Sequence, residues 1–406
     1  MSKLDFHNSW EKIFERYNLC SIIKTNGYVD ITADQIKAVE RKEPRNLTKI
    51  DFREKLPKIM KEEGLSILAI KNGLYRIAKN DPFIDVKQEI ETKIIELPTP
   101  QNIISIDPFN IKSESAALDM ATVSNMLEMA FGEKSKLTIR GRLRGALDFN
   151  IGNIHYNVDG VQIEVDGGYE SDSSIHLIEA KIGYNNNINI RQLLYPQLFW
   201  EKQIGIKKEI KSYVFYLQGD IFRFIPYYYD GAIGYLDHAK EKAFVFENPN
   251  AEIFSLNEIQ IDQSKVDTNI PFPQADKFDT INTMMITISE NLCISKEELK
   301  TKFAIVDRQI DYYFNVLKWL KLCIEKDGCL ILTPEGERLV DLSFRKRMQE
   351  IAKIVFAEPI MNAVLNNKNP NEQIFLDYNI KSQSTIHRRL QTANAWVKYF
   401  RDLFSK

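Results

Sequence analysis

The chain has 406 residues, 44% hydrophobic and 27% charged, with a formal net charge of −2. That length exceeds one ordinary core and implies two to four domains, and the composition is that of a globular chain rather than a disordered one. No apolar run approaches the ~18 residues of a membrane span, and the opening MSKLDFHNSWEKIFERY is charged where a secretory signal is apolar, so a cytoplasmic protein is expected.

The first hundred residues read as a small mixed α/β unit (1–105). In LPKIMKEEGLSILAIKNGLYRIAK, a helix, a strand, an Asn72-Gly73 turn and a second strand follow one another. The spacing of apolar residues in SESAALDMATVSNMLEMAFG predicts a helix over about 113–131, with a polar start and a glycine just past its end. Strands to about Ala180, a helix through INIRQLLYPQLFWEKQIG and paired strands in KSYVFYLQGDIFRFIPYYY complete an α/β (α+β) domain at 106–260. The polar, proline-bearing stretch near 255–275 marks a boundary.

Beyond it, SKEELKTKF, DRQIDYYFNVLKWLKLC and IEKDGCLILTPEGERLV give the order helix, helix, hairpin. That is a winged helix-turn-helix in outline (275–340), and a further helical, helix-turn-helix-like unit occupies 341–406. The four cysteines, Cys20, Cys293, Cys323 and Cys329, lack CxxC spacing. Neither a zinc site nor a disulfide framework is expected, and buried free thiols are.

Charge is unevenly spread. Between Ile36 and Lys61 nine Lys/Arg face four Asp/Glu, and from Lys381 onward six face one. KSKLTIRGRLRG adds a third basic cluster with Arg140, Arg142 and Arg144. Local basic segments in a neutral chain suit phosphate contacts, and Arg45, Lys49 and Arg191 are further candidates. In SQSTIHRRLQTANAW, Ser382 and Ser384 can cap a helix whose exposed start carries Thr385, His387, Arg388 and Arg389, with Ile386, Leu390, Ala393 and Trp396 at core spacing. Arginines at a helix start suit guanine edges or phosphates.

The stretch VQIEVDGGYESDSSIHLIEAKIG, Val161 to Gly183, reads as two strands that end in acidic residues. Alternation puts Leu177, Glu179 and Lys181 on one face and Ile178, Ala180 and Ile182 on a core face, and pairs Glu164 with Asp166. In a hairpin, Asp166 and Glu179 converge with Lys181 beside them. Two such carboxylates repel unless a divalent cation sits between them, and hard oxygen ligands suit Mg²⁺. The lysine can then orient or help deprotonate a water and offset charge on a phosphate.

Asp166, a twelve-residue spacer and Glu179-Ala180-Lys181 resemble the PD-(D/E)XK nuclease superfamily, specifically its type II restriction endonuclease branch. Val165 stands where that superfamily has a proline. The resemblance implies a mixed sheet flanked by helices, metal ligation by Asp166 and Glu179, and Lys181 as catalytic lysine. It also implies Mg²⁺ (or Mn²⁺) as cofactor, double-stranded DNA as substrate, a homodimer when cutting, and a separate protective methyltransferase. Glu114, Glu128, Glu164 and Gln192 are outer-shell candidates, and Gln192 with Tyr195 is similar to a glutamine-tyrosine motif of nuclease relatives, one residue short in spacing. No GxxxxGK[ST] loop and no DPPY- or NPPY-like segment is present, so neither ATP nor S-adenosylmethionine is expected. The competing readings are a non-catalytic DNA-binding regulator and a structure-directed repair nuclease.

Overall fold

A computed structural model of the chain describes residues 3–40, 43–183, 186–247, 254–262, 267–291, 293–303, 305 and 307–404. Two units form, Met1–Asn102 with Ser113–Phe246, and Ile103–Lys112 with Glu247–Lys406. In the first, α1 (Lys3–Arg16) and α2 (Leu19–Asn26) lead to β1 (Tyr28–Thr32), α3 (Ala33–Val39), α4 (Pro44–Thr48) and α5 (Lys58–Glu63). β2 (Ser66–Lys71) and β3 (Leu74–Ala78) make a hairpin turned by Gly73 at φ 75°. Short β4 (Phe83–Asp85) and β5 (Ile94–Leu97) follow. The helix expected over 113–131 is two, α6 (Glu114–Val123) and α7 (Met126–Phe131), because Asn125 takes a left-handed φ of 59°.

Next come β6 (Lys136–Ile151), β7 (Ile154–Glu170), β8 (Ser174–Ile182), β9 (Asn187–Asn189), α8 (Arg191–Ile204), β10 (Glu209–Gln218), β11 (Ile221–Tyr229), β12 (Gly234–Leu236) and β13 (Lys242–Phe246). One mixed sheet runs β1-β3-β2-β7-β8-β10-β11-β13-β5, with β6 on β7 and β12 on β11. The N-terminal strands therefore continue the same sheet across residue 105. β6, β7 and β8 are antiparallel, whereas β8 and β10 run parallel and are joined through α8. A parallel pair needs such a crossover.

The alternation read for β8 needs correction. Ser174 to Ala180 are all buried, so the strand has core on both faces: Leu177 packs with Ile139, Val165 and Ile175, against Trp200 and Ile204 of α8. A strand beside a parallel neighbour and under a helix is covered twice, so polar groups collect toward its two ends.

The second unit holds α9 (Phe278–Ser289), α10 (Lys296–Phe303), α11 (Asp307–Trp319), the hairpin β14 (Cys323–Lys326) and β15 (Cys329–Leu332), then α12 (Pro334–Asp341), α13 (Phe344–Ala357), α14 (Pro359–Leu365), α15 (Glu372–Asp377) and α16 (Gln383–Phe404). Asp327 and Gly328, at φ 53° and 77°, turn the hairpin. Phe272, Phe278, Trp319 and Trp396 lie at the core. One cysteine expectation is corrected: Cys293 and Cys329 are joined, with Cα atoms 5.1 Å apart, while Cys20 and Cys323 are free. The bridge between Ile294 and Leu330 brings residues 36 apart in sequence together, which spacing alone does not show. Residues 248–253 and 263–266, inside or beside the expected boundary, lie outside the described residues. No helix among the described residues is long and apolar enough to cross a membrane.

Candidate active site

The ladder between β7 and β8 runs from Glu170 opposite Ile175 to Gly167 opposite Ile178 and then stops. Asp166 and Glu179 are the next residues on either strand. There the Ala180 N–H donates to Asp166 Oδ2 at 2.9 Å, so a carboxylate replaces the carbonyl a continuing ladder would offer. Close passage past this point requires glycine: a Cβ on Gly168 would stand 2.6 Å from Ile139 Cβ. Thus the strands part at the residues that carry charge.

Glu179 is 7% exposed and accepts from Lys181 Nζ at 2.5 Å and from Gln192 Nε2 of α8. Lys181 also donates to the Ala180 carbonyl at 2.9 Å. Burial, joined by the charges of Asp166 and Glu114, pushes the Glu179 carboxyl up to about 7 against the opposing pull of Lys181. For Lys181, burial acts downward, but Glu179, Glu114 and Asp166 outweigh it and hold the ammonium above its ordinary value. Glu114, at the start of α6, keeps solvent contact, yet enclosure by the chain and the nearness of Asp166 raise its carboxyl despite Lys181 and the Ile182 N–H. The arrangement is three acids around one lysine. Tyr216 of β10 stands beside Lys181 in the parallel register, and its buried hydroxyl has no partner among the described residues.

Of the outer-shell candidates, Glu114 and Gln192 join the cluster and two do not. Glu128 lies on α7 and is not among the charges acting on Glu179 or Lys181. Glu164 is exposed and paired with Arg142, its opposite residue in the β6/β7 ladder, at 3.2 Å. Tyr195 is buried against Phe149, a packing residue.

The basic candidates separate similarly. Arg140 pairs with Asp119 and also donates to the Asp166 carbonyl, Arg142 is taken by Glu164, and Arg144 is exposed opposite Gln162. Arg191 is ion-paired with Asp51, Lys49 lies 3.8 Å from the same carboxylate, and Arg45 is exposed on α4. In the second unit, the Thr385 N–H donates to Ser382 Oγ as the cap predicts. Arg388 and His387 are exposed, with Arg388 reaching Thr385 Oγ1 at 3.3 Å. Burial, then Arg388 and Arg308, lowers the Arg389 guanidinium, a cluster of like charges that includes an α11 residue the sequence did not single out.

No three His, Cys, Asp or Glu side chains among the described residues are gathered at metal-ligand spacing. Asp166 and Glu179 are nevertheless hard oxygen donors of the kind Mg²⁺ takes from one or two carboxylates, with water and phosphate oxygens completing the shell. The buried Gln192 Oε1, without a partner beside Glu179, is a further oxygen of the same kind. On donor chemistry, the residues fit a hard divalent cation.

Sequence reasoning missed Tyr216 and the segment around Asp51, since parallel strand register and contacts between residues far apart in sequence leave no local pattern. Three family models match in series, each described as a domain of unknown function: DUF6996 over residues 7–77, DUF6997 over 78–247 and DUF7226 over 280–405. No curated protein and no solved structure matches the chain.

Proposed function

We propose that the protein is a Mg²⁺-dependent endonuclease that hydrolyses phosphodiester bonds of double-stranded DNA, a type II restriction enzyme of the PD-(D/E)XK kind. The observation that carries this reading is the gathering of Asp166, Glu179, Lys181 and Glu114 where β7 and β8 part, with Asp166 locked onto the Ala180 N–H. The order α6/α7, β6, β7, β8, α8, β10 around that point supports the same core, and the helix, helix, hairpin order of α10, α11 and β14–β15 supports a winged helix. A divalent cation held by Asp166 and Glu179 would activate water and offset charge on the phosphate. Lys181, kept protonated by its acidic neighbours, would hold a phosphate oxygen rather than remove a proton. Gln192 fixes the Glu179 carboxylate from α8.

Cutting two strands calls for two such sites, hence a homodimer on DNA, and a host methyltransferase would protect its own sites. The test is plasmid DNA with Mg²⁺, Ca²⁺ or EDTA, followed by sequencing of the ends. Discrete, Mg²⁺-dependent ends are expected, with none in Ca²⁺. Cutting in EDTA would remove the metal mechanism, and tight duplex binding without any cleavage would favour a non-catalytic regulator.

A further inference from the structure

Residues 49–55 are strapped to the segment that leads into α8. Asn189 Nδ2 donates to the Ile50 carbonyl at 3.1 Å, the Arg53 N–H donates to Asn187 Oδ1 at 2.9 Å, and Asn187 Nδ2 reaches Glu54 at 3.0 Å. Asp51 pairs with Arg191, the residue before Gln192, whose amide holds Glu179. A basic N-terminal segment is thereby fixed beside the candidate active site.

The cations on and beside this strap are unevenly matched with carboxylates. Arg53 is committed to Asp81 and Asp85, at 2.8 and 2.5 Å. Asp51, in contrast, is one carboxylate on which Arg191, Lys49 and Lys55 all act. Lys55 is half-buried; its backbone N–H donates to the Phe52 carbonyl at 2.9 Å, but its ammonium makes no hydrogen bond or ion pair among the described residues. Its amine lies 5.3 Å from the centre of the Phe52 ring. Burial and the charge of Lys49 lower it more than Asp51 raises it. Partial enclosure of an ammonium without an anion costs stability, and a bound anion offsets that cost.

We propose that Lys49, Lys55 and Arg191, grouped around Asp51, form a binding site for a backbone phosphate of duplex DNA next to the Asp166–Glu179–Lys181 cleft, with Lys55 as the residue that holds it. This rests on the nuclease reading for its choice of DNA. Lys55 is a positioning residue: it would fix the strand relative to the cleft and take no part in bond breaking.

The test is fluorescence anisotropy with a short fluorescein-labelled duplex, in EDTA so that no cleavage intervenes, across a series of salt concentrations. Loss of one phosphate contact reduces the log–log salt slope by about 0.9 and affinity on the order of tenfold near 0.1 M salt. Lys55→Gln is expected to show both changes, Lys55→Arg to restore them, and Lys93→Gln, an exposed lysine elsewhere in the unit, to show neither. The melting temperature of Lys55→Gln should hold or rise, since a poorly compensated cation is removed. Unchanged affinity and slope in Lys55→Gln would overturn the site, as would absence of duplex binding by the intact protein. A lowered melting temperature with no recovery in Lys55→Arg would mark Lys55 as structural and equally overturn it. Plasmid cleavage by the intact protein, lost in Lys181→Ala, decides the nuclease reading separately: Lys55-dependent binding with no cleavage by the intact protein keeps the site and loses the nuclease, and Lys181-dependent cleavage with Lys55-independent binding does the reverse.

Discussion

The two ends of β8 carry two polar clusters with opposite electrostatics. At its start, Glu133 accepts from Ser173 at 2.9 Å and from His176 Nε2 at 2.8 Å, with Ser171 and Ser174 also near, and His176 stacks on Phe131 at 3.9 Å. Burial acts upward on Glu133, but these donors outweigh it and hold the carboxyl down at about 2. At the strand's other end, Glu179 shares one lysine with two other acids and is pushed up to about 7. A carboxylate ringed by donors stabilises a fold, whereas acids crowded around too few cations store repulsion that a ligand can relieve. The contrast separates scaffold from candidate site along a single strand.

The largest effect should come from breaking the crowded end. Asp166→Ala and Lys181→Ala are each expected to reduce plasmid cleavage on the order of a hundredfold or more, while melting temperature stays within a few degrees of the parent. Wild-type cleavage rates in both would erase the functional half of the comparison. Gly168→Ala strikes the joint between the ends: its Cβ, 2.6 Å from Ile139 Cβ, should cost about 1–3 kcal/mol in urea denaturation and reduce cleavage as well. A variant of parental stability would mean that β6 yields there without strain.

At the satisfied end, Glu133→Gln should cost about 1 kcal/mol and leave cleavage intact. The sign with pH follows from a folded value of about 2 against an ordinary 4.5. The contribution is present above 4.5 and is lost as pH falls toward 2, so the stability gap between parent and Glu133→Gln should close over that window. A gap independent of pH would assign the effect to packing. The smallest expected effect is at Arg142, which is paired with exposed Glu164. Arg142→Ala should change stability by less than about 0.5 kcal/mol, and a larger loss would show that the β6–β7 ribbon depends on that pair.

Much of this was legible in the sequence, and for physical reasons. Asn72-Gly73 and Asp327-Gly328 announced their hairpins because few other residues suit such turns, and Asp166 and Glu179, which lie within β7 and β8 rather than at their ends, stood out because carboxylates interrupt apolar runs. What stayed hidden depends on distance. Nothing local distinguishes Leu177 on a solvated face from Leu177 under α8, nor tells that Glu164 rather than a phosphate would meet Arg142. The register shift beside Gly141 and the pairing of Cys293 with Cys329 likewise arise from partners the chain meets only once folded.

The strap between 49–55 and 187–191 has a consequence in time. Its hydrogen bonds join residues 133 to 139 positions apart, and the Asp51–Arg191 pair spans 140. A ribosome releases Asp51 long before Arg191 exists, and closing so long a loop follows the more local hairpins. The cleft beside Gln192 is therefore among the last parts of this unit to mature. A chain that stops short of Arg191 carries Asp166, Glu179 and Lys181 without these walls, so the proposed DNA cleavage would switch on only after the strap has closed.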